Sequence, residues 1–243
     1  MLKDTNRRAF LKASVLLPSV AALSASSAVG QPDLPADDPV RSAPAPATPA
    51  QDDYRPSFFT PAEWAFVQAA CDRIIPKDDT GPGALELGVA QYIDRQMATP
   101  YGDGGNWYMN GPFFDGAPEF GYQSALTPKQ QYRLGIRAID AWCTKTLNKA
   151  FADLTPAQQD DALKKAEAGT IRADDVSLKT FFTGFLLKNV MEGYFADPMY
   201  GGNRGMAAWK MIGHPGARGD FTDFIDKPAQ YPYGPVDLYG RQA

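Results

Sequence analysis

Side chains able to do acid–base, nucleophilic or metal chemistry are few in this chain, and they do not gather. The one histidine, His214, stands in Gly213-His214-Pro215-Gly216, a turn sequence with no second ligand cluster, and reads as structural. The acid pairs Asp78-Asp79 and Asp160-Asp161 are sequence neighbours whose side chains diverge on a helix. They read as caps or solvated faces rather than as paired general acids and bases. There is no Cys-x-x-Cys-His, no paired Cys-x-x-Cys, no Gly-x-Gly-x-x-Gly and no Gly-x-Ser-x-Gly. No catalytic, metal-binding or cofactor-binding residue is therefore assigned.

The residues with the clearest chemical message are recognition residues. Asn6-Arg7-Arg8-Ala9-Phe10-Leu11-Lys12, followed by Ala13-Ser14-Val15-Leu16-Leu17, reads as a twin-arginine export signal carried by Arg7, Arg8, Phe10, Leu11 and Lys12. The apolar segment Ala13 to Leu23 falls short of the roughly 20 residues a bilayer demands, and Pro18 interrupts it. Ser26-Ser27-Ala28 or Ala28-Val29-Gly30 would suit a signal peptidase, so residues 1–30 form the expected signal peptide. That pathway exports folded proteins, usually with a cofactor already loaded. A folded-protein signal on a chain with nothing to load points to a partner that carries the cofactor.

Removing residues 1–30 takes Lys3, Arg7, Arg8, Lys12 and Asp4 from totals of 24 basic and 28 acidic residues, leaving 20 and 27 and a net charge of −7. Such a balance argues against nucleic acid or an anionic membrane surface as the main partner, and no further apolar run reads as a membrane span. Residues 31–57, rich in proline and alanine, read as a disordered linker. Residues 58–243 are long enough for one domain, with an extended tail from about 220.

The elements that must position these residues announce themselves at their starts. Thr60-Pro61-Ala62-Glu63, Thr127-Pro128-Lys129-Gln130 and Thr155-Pro156-Ala157-Gln158 each place Thr at a helix N-cap, Pro at the first helical position and Glu or Gln where it closes a capping box. Trp64, Val67, Cys71, Ile74 and Ile75 share one face, and so do Tyr132, Ile136, Ile139, Cys143 and Leu147. Two further helices are expected over 85–98 and 175–194. No alternating strand pattern is present. The expected fold is all-α: one helical domain with long irregular connections.

Those connections are aromatic. Residues 101–122 contain six glycines and seven aromatics, Tyr101, Trp107, Tyr108, Phe113, Phe114, Phe120 and Tyr122. The tail repeats the theme with Phe224, Tyr231, Tyr233 and interspersed prolines. Such arms either lie on another protein or cover the domain's own core, and both can hold at once. Cys71 and Cys143 have three open readings: a disulfide joining the first and third helices, two small buried hydrophobes, or a bond to a partner's cysteine.

The most idiosyncratic string is Glu192-Gly193-Tyr194-Phe195-Ala196-Asp197-Pro198-Met199-Tyr200-Gly201-Gly202-Asn203-Arg204, followed by Trp209-Lys210-Met211-Ile212-Gly213. With the export signal, the first Thr-Pro-x-Glu helix, and Ile74-Ile75-Pro76 leading to Gly81-Pro82-Gly83-Ala84, the chain resembles the gluconate 2-dehydrogenase subunit 3 family. The resemblance implies a non-catalytic small subunit without a cofactor of its own. Its implied partners are an FAD-containing flavoprotein large subunit, a multihaem cytochrome c subunit that passes electrons to quinone, and the twin-arginine translocase. The implied location is the periplasm, peripheral to the inner membrane. In the residues themselves, Asp197 before Pro198 is extended, Gly201-Gly202-Asn203 makes a turn, and a helix from about Asn203 buries Met206 and Trp209 until Gly213. Tyr194, Tyr200 and Asn203 serve either a rigid turn or direct contact with the flavoprotein. Trp107, Tyr108, Phe113, Asp197 and Trp209 complete the interface candidates. The competing function class is an independent exported binding protein or enzyme.

Overall fold

The computed structural model describes residues 54–114, 116–227 and 231–243. The export signal Arg7, Arg8, Phe10, Leu11 and Lys12, and residues 31–53 of the expected linker, lie outside the described residues. Among the described residues the structure is helical, and β pairing is limited to isolated bridges.

Helix α1 spans Pro61–Ile74, α2 Val89–Met97, α3 Pro128–Leu147 and α4 Pro156–Ala168. All three expected capping boxes form. The N–H groups of Thr60, Thr127 and Thr155 donate to Glu63, Gln130 and Gln158 at 2.9, 2.8 and 3.1 Å, and each Thr hydroxyl accepts from the third helical N–H in return. Helix α3 ends on Asn148 and α4 on Gly169, both in the left-handed region that closes a helix. The helix expected over 85–98 is shorter than its pattern. It begins only at Val89 because Gly88, at φ 75°, breaks the chain direction immediately before.

Helix α5 runs from Leu178 to Phe195 and is α-helical at Leu178–Thr180, π-helical at Phe181–Leu186 and α-helical again at Leu187–Phe195. Phe181, Phe182, Phe185 and Leu186 of the wider turn are all buried and, with Leu178, continue one apolar stripe. The π segment packs against α3 and α4, and the following turns of α5 lie along α2. Each phenylalanine buried there stabilises the fold by about 1.5–3 kcal/mol. A short last helix, α6, spans Ala207–Ile212 and ends on Gly213.

The chain preceding α1 is tied down by a buried carboxylate. Asp94, on α2, accepts from the Tyr54 hydroxyl (2.8 Å), the Ser57 N–H (2.7 Å) and hydroxyl (2.8 Å), and the N–H groups of Phe58 (3.0 Å) and Phe59 (3.1 Å). Burial by itself would raise its pKa. The N–H groups of Ser57, Phe59 and Phe58 and the Tyr54 hydroxyl outweigh that and hold the carboxyl below the usual carboxylate range. The packed unit therefore takes in Tyr54 to Ser57, which the sequence pattern grouped with the linker.

Candidate functional site

The string that separates α5 from α6 is held almost entirely by its own side chains. A helix leaves its last carbonyls without partners, and here side chains supply them. The Trp209 indole Nε1 donates to the Phe195 carbonyl at 2.8 Å, and the Asn203 Nδ2 donates to the Ala196 carbonyl at 3.0 Å. Asn203 Oδ1 accepts from the Ala208 N–H at 2.9 Å, so one fully buried amide closes α5 and opens α6. Asn203 pays for this position with a left-handed backbone, φ 44°, which asparagine tolerates better than most residues. Before it, Gly202 passes so close to α5 that a Cβ there would stand 2.0 Å from the Gly193 carbonyl oxygen.

The other members of the string are spent in the same way. Tyr194 is buried and donates to the Pro82 carbonyl at 2.8 Å. Asp197, in the extended backbone expected before proline, accepts from the Met199 N–H (3.0 Å) and from the Leu238 N–H of the tail (2.8 Å). Tyr194, Asp197, Asn203 and Trp209 thus belong to the chain's own packing, whereas Tyr200 is 46 % exposed. The tail is pinned again where the Val236 N–H donates to Pro215 (3.1 Å), the Ala217 N–H to Val236 (2.7 Å), and the Tyr231 hydroxyl to Asp220 (2.7 Å).

The aromatic loop divides in two. Tyr101, Trp107 and Tyr122 pack on the core: the rings of Trp107 and Tyr122 lie 6.2 and 5.1 Å from Phe185 on the π segment, and Trp107 lies 5.6 Å from Tyr101. Tyr122 is further fixed by Gln131, whose amide donates to the tyrosine hydroxyl at 2.8 Å. The outer part stays in solvent, with Tyr108 78 %, Phe114 71 % and Phe120 77 % exposed and Phe113 partly so. Several large rings on one connection form the kind of exposed apolar surface that marks a protein–protein site.

The disulfide expected from the even cysteine count is not formed. Cys71 and Cys143 are free and buried on the inner faces of α1 and α3. Burial raises the pKa of both thiols, that of Cys143 to about 12, so neither is a thiolate ready for exchange. Within this chain both sit as small buried hydrophobes. His214 is exposed and set edge-on to Trp209 with ring centroids 5.1 Å apart. Asp160 pairs with Arg73 (2.9 Å) and Asp161 with Lys165, while Asp78 caps the turn at Thr80 (2.7 Å). Among the described residues no three His, Cys, Asp or Glu side chains gather as a metal site requires, and no helix is long and apolar enough to cross a membrane.

A family model described as gluconate 2-dehydrogenase subunit 3 matches residues 61–216, from the first residue of α1 to the turn after His214. The chain belongs to that family. The match takes in the whole helical core, the aromatic loop and the α5–α6 string. Comparison with curated proteins and with solved structures yields no match. Membership of gluconate 2-dehydrogenase subunit 3 makes this chain one component of a multi-subunit dehydrogenase, with partner subunits implied.

Sequence reasoning missed the Asp94 anchor, the π segment and the outward arginines described below. A buried Asp midway along an amphipathic helix, in Tyr92-Ile93-Asp94-Arg95, was the available signal for the first.

Proposed function

We propose that this chain is the non-catalytic small subunit of a gluconate 2-dehydrogenase-like complex. In this reading it carries the FAD-containing large subunit through the twin-arginine pathway and stabilises it at the periplasmic face of the inner membrane. The observation that carries the reading is a combination: a subunit 3 chain bearing Arg7-Arg8-Ala9-Phe10-Leu11-Lys12 and none of the sequence motifs of flavin, haem or nucleotide binding. A signal for folded cargo is useful to such a chain only if its cargo includes another subunit. The complex would oxidise a sugar or sugar acid in the large subunit and pass electrons through a cytochrome c subunit to quinone. The chain's own part would be recognition, for which the exposed rings Tyr108, Phe113, Phe114 and Phe120 offer desolvatable area.

The decisive experiment replaces Arg7 and Arg8 by lysine in the native host and follows both proteins by fractionation. The expected result is that the flavoprotein and this chain accumulate together in the cytoplasm. A flavoprotein that still reached the periplasm would overturn the carrier role.

A further inference from the structure

The α5–α6 turn spends its amides and aromatic N–H groups inward, but it also presents a cation with no carboxylate partner among the described residues. Arg204 follows Asn203, and its backbone N–H is tied to the Leu87 carbonyl at 3.2 Å. Its side chain lies across Gly88, where a Cβ would stand 2.7 Å from the Arg204 Nε and 2.8 Å from the Gly201 carbonyl oxygen. The guanidinium of Arg95, on α2, reaches the same place: a Cβ on Gly201 would stand 2.7 Å from its Nη1 and 3.1 Å from its Cζ. Two glycines therefore make room for the two guanidinium groups, near enough that the Arg95 charge is felt at Arg204.

Among the described residues, Arg73, Arg133, Arg137, Arg218 and Arg241 each have a carboxylate within ion-pair distance, whereas Arg95 and Arg204, like the exposed Arg55 and Arg172, have none. The neighbouring acids are already committed. Asp94 is engaged by Tyr54, Ser57, Phe58 and Phe59, and Asp197 by the Met199 and Leu238 N–H groups. Arg204 Nε is buried without a hydrogen-bond partner. Burial first, and then the Arg95 charge, lowers the Arg204 pKa from its ordinary value, while leaving it a cation at any physiological pH. Two like charges held together in a chain that is acidic overall are destabilising unless a counter-charge arrives from outside. Tyr200 at the rim, half exposed, and Tyr54, whose ring lies 5.7 Å from the Arg95 Cζ, complete a patch of the Tyr and Arg composition found at interface hot spots.

We propose that Arg95 and Arg204 form a docking point for a carboxylate on the surface of the flavoprotein subunit, received by the planar donor forks of the two guanidinium groups. This rests on the assembly reading above and names its polar anchor. Arginine suits the task because its donors match a carboxylate two at a time and it is more weakly hydrated than lysine. The patch joins the last turn of α2 to the segment just before α6, where the Arg204 N–H already meets Leu87.

The test uses the full chain, affinity-tagged at its C-terminus and expressed in its native host. The flavin carried by the co-purifying large subunit is measured per mole of this chain across a series of sodium chloride concentrations. Wild type should retain stoichiometric flavoprotein at low salt and lose it as salt rises. Arg95→Gln/Arg204→Gln should weaken association about tenfold or more and flatten the salt dependence, with a thermal midpoint of the isolated subunit no lower than that of wild type. Arg204→Lys, which keeps the charge and loses the fork, should fall between them, and it provides the comparison if the double variant is less stable. Equal retention and equal salt dependence in wild type and variants would overturn the proposal. It would mean that the pair is neutralised within the chain. A wild-type chain that retains no flavoprotein at any salt would instead sink the assembly reading, and this inference with it.

Discussion

The α5–α6 turn and the 101–122 loop look alike as sequence, both rich in glycine and tyrosine, yet they occupy opposite roles. In the turn, Trp209 and Asn203 cap the orphan carbonyls of Phe195 and Ala196, and Tyr194 reaches across to Pro82. In the loop, the rings beyond Trp107 meet solvent at Tyr108, Phe114 and Phe120. The end of α5 is closed by side chains of the turn, whereas the end of α2 before the loop is closed by backbone, the Ala98 N–H on Arg95 and the Thr99 N–H on Gln96. A chain leaving a helix must find donors for its last carbonyls, so polar side chains nearby are drawn inward. Residues 108–120 leave no long helix behind them, and only the rings that reach the π segment are captured. An unusual string can thus mark internal closure, and a plain excess of aromatics can mark an outward surface.

The sharpest way to break that contrast is at the turn. Gly202→Ala places a methyl against the Gly193 carbonyl, where only backbone could yield, and should cost about 3 kcal/mol or more. Asn203→Ala, which strands Ala196 O and Ala208 N and leaves a non-glycine residue at positive φ, should cost about 3 kcal/mol. Urea denaturation of the isolated subunit measures both. Losses under 1 kcal/mol would mean that the turn is not internal scaffolding.

Within the loop, Trp107→Ala and Tyr108→Ala separate the captured end from the free one. Trp107 contacts Tyr101, Tyr122 and Phe185, so its loss should lower stability by about 2 kcal/mol. Tyr108→Ala should change stability by no more than about 0.5 kcal/mol while reducing retention of the flavoprotein. Equal stability losses for the two would erase the division drawn here.

The smallest effect concerns the anchor of the segment before α1. Because the folded-state pKa of Asp94 is depressed, its contribution is complete above the unfolded value of about 3.9 and is lost as pH falls from there through the folded value. Stability of wild type should therefore decline below about pH 4 more steeply than that of Asp94→Asn, as followed by thermal unfolding across pH 2–6. Parallel pH profiles would show that the carboxylate charge contributes nothing to holding Tyr54 to Phe59.

Much of the fold was legible in the residues alone. Three Thr-Pro-x-Glu/Gln starts, the inward stripes of α1 and α3, the extended Asp197 and the Gly201–Asn203 turn are local matters, decided by capping chemistry and helical period within a few residues of one another. The resemblance to gluconate 2-dehydrogenase subunit 3 was carried by contiguous strings, and the family match spans those from α1 onward. What only the tertiary structure decided depends on which distant surfaces meet. Cys71 and Cys143 became buried, unpaired packing groups, and Tyr194, Asp197, Asn203 and Trp209 gained internal hydrogen bonds. Asp94 found its donors 35 to 40 residues away, and Arg95 and Arg204 came together across more than a hundred. No local pattern encodes such meetings, because whether a polar side chain is satisfied or left seeking a partner is a property of the packed chain and not of its neighbours in sequence.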